Sequence, residues 1–150
     1  MKKLALILLI PILSILVIGC GDTKEALNSE TFQESLKVKN FTVVDETTLV
    51  ANQSSIESYF VATHPSNFYK LEFYIFNSEA AAQSYYVKER DTLGGQGSYN
   101  ELNVGNFSKY TQICNGKYSI VSRVGSTVLY SNVDDVYRNE VNILLKEIGY

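Results

Sequence analysis

The sequence predicts an α+β domain in which an antiparallel sheet of about six strands is covered on one face by helices. Three observations carry this. Phe68 to Phe76 alternates, with Tyr69, Leu71, Phe73 and Ile75 on one side of the chain and Lys70 and Glu72 on the other. That period of two marks a half-buried antiparallel strand. Asn115-Gly116 sits between two β-rich runs, the chemistry of a two-residue hairpin turn. Finally, a Ser or Asn stands directly after a strand and before a stretch of helical periodicity at both Asn77-Ser78 and Asn132.

The elements follow in order. Thr31-Phe-Gln-Glu34 has the pattern of a capping box. Phe32 and Leu36 then give a short helix one apolar stripe, and Asn40 is a suitable stop. Residues 41–45 form a short strand. Residues 56–63 are rich in β-formers, and His64-Pro65-Ser66-Asn67 is a turn with proline second. After the 68–76 strand, Asn77 or Ser78 caps a helix running to about Leu93, with Ala81, Ala82, Tyr85 and Tyr86 toward the core. Residues 94–106, rich in Gly and Asn, read as a loop. Strands at 107–114, 117–124 and 127–131 form a meander, with Gly125-Ser126 as its second tight turn. Asn132 is expected to cap a last helix carrying Val133, Val136, Tyr137, Val141, Leu144 and Ile148 at helical spacing, stopped by Gly149. The order strand, turn, strand, capped helix thus occurs twice (56–91 and 117–148), consistent with two similar β-β-α halves of one sheet.

The N-terminus has a different character. Met1-Lys2-Lys3 is a positive start, and Leu4 to Ile18 is an apolar run of fifteen residues. As a helix it would span about 22 Å at ~1.5 Å per residue, short of the roughly 30 Å bilayer core. Pro11 and Ser14 interrupt it. Residues 1–19 therefore read as a secretion signal that is removed. Val17-Ile18-Gly19-Cys20 resembles the lipobox of bacterial lipoproteins, in which the cysteine thiol is joined to diacylglycerol and the chain is cut just before it. The resemblance implies lipid attachment at Cys20, with two acyl chains giving stable anchoring where one would not. Residues 20–28 read as the lipidated cysteine and a polar tether. Eight extended residues reach at most about 28 Å, which would hold the 29–150 domain close to the outer face of the cell membrane.

Composition excludes several functions. The chain has 13 basic and 16 acidic residues, and loss of Lys2 and Lys3 with the signal leaves eleven against sixteen, a net −5. With no Lys/Arg cluster there is no electrostatic footprint for nucleic acid. Of two cysteines Cys20 is committed to lipid, so Cys114 has no partner for an intramolecular disulfide. No basic residue lies within two positions of Cys114, and it reads as a small buried hydrophobe on a strand. His64 is the only histidine and stands before a proline in a turn. A Ser-His-Asp triad and a His/Cys metal site are thus excluded, and no calcium loop is present. Gly94-Gly95-Gln96-Gly97 lacks the Gly-Lys-Ser/Thr and the preceding strand of a phosphate loop. Asp45/Glu46 ends a strand, and Asp134/Asp135 suits the first turn of a helix. No cofactor is called for.

Two features could bind a partner. One is the 94–106 loop with Tyr99 near its centre. The other is the outer side of the strongest strand, where Phe68, Tyr74 and Phe76 flank Lys70 and Glu72. The tyrosine load, 11 residues with 7 Phe and no Trp, suits an adhesive or sugar-binding face and equally suits strands. With its lipobox and its Tyr/Asn/Ile-rich single domain, the chain looks like the small lipoproteins of low-GC Gram-positive bacteria. That resemblance implies a location and no activity. The expectation is a non-enzymatic lipoprotein whose domain binds an envelope protein or a small ligand. The alternative is an envelope enzyme working through carboxylates or tyrosines.

Overall fold

The computed structural model describes residues 23–66 and 68–150. The expected signal segment, residues 1–19, and Cys20 lie outside these residues. The elements are α1 (Ser29–Lys37), β1 (Thr42–Asp45), β2 (Ile56–Thr63), β3 (Lys70–Phe76), α2 (Glu79–Leu93), β4 (Ser98–Val104), β5 (Phe107–Cys114), β6 (Lys117–Val124), β7 (Thr127–Asp134) and α3 (Arg138–Glu147). A short 3-10 turn precedes β2 and another precedes α3. The strands form one seven-stranded sheet in the order β1-β2-β3-β7-β6-β5-β4, and every neighbouring pair is antiparallel.

The α+β class is as expected, and most boundaries follow local chemistry. Ser78 caps α2 by accepting the Ala81 N–H at 3.2 Å, and Gly94 ends it in the left-handed region at φ 75°. Asn115 and Gly116 both have positive φ, 50° and 73°, which matches the twist of the flanking strands. The first helix begins earlier than its Thr31–Glu34 motif suggests, because Asn28 Oδ1 accepts the Thr31 N–H at 2.8 Å and is the cap.

Three particulars differ from expectation. First, the 94–106 segment is not a loop. Seven of its residues form β4, paired with β5 from Ser98↔Ile113 to Val104↔Phe107. At the sheet edge all seven are exposed, so no apolar alternation announces the strand. Second, Asn132 does not cap a helix. β7 runs on to Asp134 because its end pairs with the start of β6, Lys117↔Asp134. Asn132 Nδ2 donates across to Ser119 Oγ at 2.7 Å, and Lys117 Nζ meets Asp134 Oδ1 at 2.6 Å. Val136, expected in a helical stripe, is 82% exposed.

Third, helices cover both faces. On one face α1 and α3 bury Phe32, Leu36, Val141 and Leu145 against Phe73, Ile120 and Leu129. On the other, α2 buries Ala82 and Tyr86 against Tyr74, Phe76, Val121 and Val128. The physical reason is written into β6 and β7: Ile120 and Val121 are both fully buried, as are Val128 and Leu129. Adjacent strand residues point to opposite faces, so both faces need a cover. The two β-β-α units do lie side by side, with β3 against β7. Their helices, however, take opposite faces, whereas a two-fold axis normal to the sheet would keep them on one.

Val121→Ala and Leu129→Ala probe the two faces separately. Each should cost about 2–3 kcal/mol in denaturant unfolding. Tolerance of either change would show that its face is not a core.

Candidate ligand-binding groove

The sheet is wider than the helices on its α1/α3 face, and this creates a concavity. Beyond α3, strands β4 and β5 continue uncovered. Between them and the start of α3 runs a groove of about 490 Å³, with Asn100, Lys109, Thr111, Tyr118, Arg138 and Asn142 among its walls. Strand pairing sets the lining: Asn100 opposes Thr111 and Leu102 opposes Lys109 on β4 and β5, while Tyr118 on β6 opposes Ile113. All of these point to the face that α3 would cover if it reached further.

The end of the groove at α3 is held rigidly. The Tyr118 hydroxyl donates to Asn142 Oδ1 at 2.9 Å, and Asn142 Nδ2 donates to the Arg138 carbonyl at 2.9 Å. The Arg138 guanidinium has Asp135 Oδ1 at 3.6 Å from its Nε, and Arg138 is among the groove walls. Lys109, at the other end, is half-buried. Burial pushes its ammonium below the ordinary lysine range, and nearby Lys24 adds to the effect. Among the described residues, no carboxylate lies within ion-pair distance of Lys109.

Lys24 belongs to the segment expected to be a free tether. It is instead docked. Its backbone N–H donates to Asn106 Oδ1 at 3.0 Å while its carbonyl accepts from Asn106 Nδ2 at 2.8 Å. Its ammonium reaches the Gly149 carbonyl at 3.1 Å and lies 3.8 Å above the Phe107 ring. Ala26 and Leu27 pack against the α1/α3 core. Lys24 stands four residues after Cys20 in the sequence.

The four aromatic residues singled out by sequence do not form one surface. Tyr99 is 61% exposed on β4 and stacks on Tyr110 at 5.8 Å; its neighbours Ser98 and Asn100 face the groove. Tyr74 and Phe76 are only 7% and 3% exposed, because α2 covers the face of β3 expected to lie open. Phe68 is 53% exposed and lies outside β3, stacked on His64 at 5.5 Å and Tyr137 at 5.0 Å. No signal in the sequence distinguished Lys109, Thr111 or Arg138, since their role depends on how much of the sheet α3 covers.

Two clusters of acids, tyrosines and histidine lie elsewhere. Glu140 Oε1 accepts the Tyr69 hydroxyl at 2.8 Å and sits 3.2 Å from His64 Nε2, while His64 Nδ1 accepts the Ser66 N–H at 3.1 Å. On the α2 face Glu72 Oε2 accepts from the hydroxyls of Tyr59 at 3.2 Å and Tyr74 at 2.8 Å, and Lys70 pairs with its other oxygen at 3.2 Å. Burial, and then the Glu72 charge, push Tyr59 up to about 12. In both clusters the polar atoms satisfy one another, the arrangement of a fastening between elements. Cys114 is half-buried at the end of β5 rather than sealed in the core.

No protein-family model matches the chain, and comparison with curated proteins gives no match. Among solved structures, a GTP binding regulator from Thermotoga maritima is similar to it, with 17% sequence identity over 85% of this chain and 88% of that one and a TM-score of 0.49. At that distance the likeness carries no argument about what this chain binds.

The Lys109 ammonium is partly desolvated with no carboxylate beside it among the described residues, so Lys109→Met should raise the melting temperature near neutral pH. A base with a depressed folded pKa gives up its proton more readily when folded. Its penalty is therefore full at neutral pH and disappears as pH rises from the depressed value toward the unfolded value of 10.5. The gap between variant and wild type should narrow over that window. Tyrosines with raised pKa lower the stability of both proteins above about pH 10, so the difference is the quantity to follow, by thermal melts from about pH 7 to about pH 10.

Proposed function

We propose that the protein is a lipid-anchored extracytoplasmic lipoprotein whose domain is a non-enzymatic binding module, taking a small ligand in the β4–β5–α3 groove. The observation that carries the binding reading is the groove itself: a few hundred Å³ with polar side chains converging from four elements, three strands of one sheet and α3. The anchor reading rests on Val17-Ile18-Gly19-Cys20 and the short apolar run before it. The docked Lys24 supports a module held near the bilayer, because it stands only four residues after Cys20 in the sequence. An enzymatic reading finds less support, since Glu140 is occupied by Tyr69, Glu72 by Tyr59 and Tyr74, and among the described residues no carboxylate lines the groove.

Each half of the reading has its own test. Labelling cells with radioactive palmitate should mark the wild-type protein, and Cys20→Ala should lose both the label and retention in the membrane fraction. A Cys20→Ala protein that keeps its label would sink the anchor. For the groove, native mass spectrometry of the purified protein should detect a retained small molecule, and Asn100→Trp should abolish retention while leaving the circular dichroism spectrum unchanged. Retention by the Trp variant equal to wild type would place the ligand elsewhere.

A further inference from the structure

We infer that the groove is an oxyanion site, built for a small molecule bearing a phosphate or carboxylate. This rests on the groove-binding reading and goes beyond it by naming the ligand's chemistry.

The first ground is the charge of the walls. Lys109 and Arg138 are the charged side chains lining the groove, both positive, in a chain whose overall charge is −3. Acidic residues are abundant on this protein, yet among the described residues none lines this concavity. Ser98, Asn100 and Thr111 supply hydroxyl and amide groups between the cations, which suits a polar ligand body.

The second ground is the unfinished state of Lys109. Desolvating a cation is costly unless a counter-charge is placed beside it. Among the described residues none is. The charged group that acts on it is another cation, Lys24. Lys24 itself is occupied by the Gly149 carbonyl and the Phe107 ring, so its charge raises the local potential without competing for space. A bound oxyanion would supply the missing counter-charge to Lys109 by a charge-assisted hydrogen bond. At the other end Arg138 has one edge near Asp135, leaving its terminal N–H groups for a planar or tetrahedral oxyanion.

The third ground is rigidity. Tyr118 and Asn142 are tied to each other and to the Arg138 backbone, so the α3 end of the site is ordered before a ligand arrives. Such preorganisation reduces the entropy that binding loses in ordering side chains.

The experiment uses the full-length chain in nonionic detergent, with backbone amide NMR shifts of Asn100, Lys109, Thr111 and Arg138 as the readout. The soluble probes are glucose 6-phosphate and citrate, with glucose as the neutral counterpart. A parallel arm replaces them with micelles doped with phosphatidylglycerol, to separate a lipid headgroup from a free anion. At least one anionic arm should shift these amides where glucose does not, and the arm that responds identifies the source. Lys109→Gln and Arg138→Gln should each weaken that binding about tenfold, equivalent to removing about 1.4 kcal/mol. Lys88→Gln, on α2 across the sheet, should leave it unchanged. Glucose binding as well as glucose 6-phosphate, or insensitivity to both groove variants, would overturn the oxyanion while leaving a groove ligand in place. Silence of the groove amides toward every probe would overturn the inference together with the groove reading.

Discussion

Strands β3, β7 and β6 are buried on both faces, and the rest of the molecule is arranged to meet that demand. Consecutive residues such as Ile120 and Val121, or Val128 and Leu129, cannot both reach one core, because a strand sends neighbours to opposite sides. One helix layer could satisfy only half of them. The α2 helix therefore crosses one face, while α1 and α3 share the other. Sheet order follows the same logic. The strands with two buried faces occupy the centre, and the short β1 and the polar β4 take the edges.

Tyrosine is the residue that makes this arrangement work at its margins. The rings of Tyr69, Tyr74, Tyr86 and Tyr118 lie in the two cores. Their hydroxyls emerge at the rim to Glu140, Glu72, Glu101 and Asn142 respectively. An amphipathic side chain of this kind can bury most of its area while its polar tip finds a partner at the boundary. The abundance of tyrosine that suggested an adhesive surface is thus largely a means of closing two cores with one sheet.

The candidate site is a by-product of unequal widths. Seven strands are broader than two helices, so β4 and β5 extend past α3 and one strip of the sheet has no cover. An uncovered strip on an otherwise buried face must carry polar side chains, and here they are Asn100, Lys109, Thr111 and their neighbours. Docking of Lys24 on the turn at Asn106 brings the N-terminal segment to the Lys109 end of this strip. The docked N-terminal segment and the groove are consequently close together on one side of the molecule.

Much of this is legible in local chemistry. The hairpin at Asn115-Gly116, the cap at Ser78 and the stop at Gly149 are decided by a few adjacent residues, and alternation along 68–76 reports at least one buried face. Sequence alone thus determined the α+β class, most strand limits and the resemblance of residues 17–20 to a lipobox. It did not determine β4, because an edge strand exposed along its whole length leaves no hydrophobic period to read. Nor did it determine the second helical layer: Tyr74 and Phe76 have the spacing of an outer face, and only the path of α2 across them makes that face a core. The end of β7 was hidden for a related reason, since Val133 and Val136 have helical spacing while pairing with β6 holds the chain extended to Asp134. Tertiary structure alone decided these points, and with them the groove. What a side chain faces depends on which distant element packs over it, and no local pattern around Lys109 or Arg138 records how much of the sheet α3 covers.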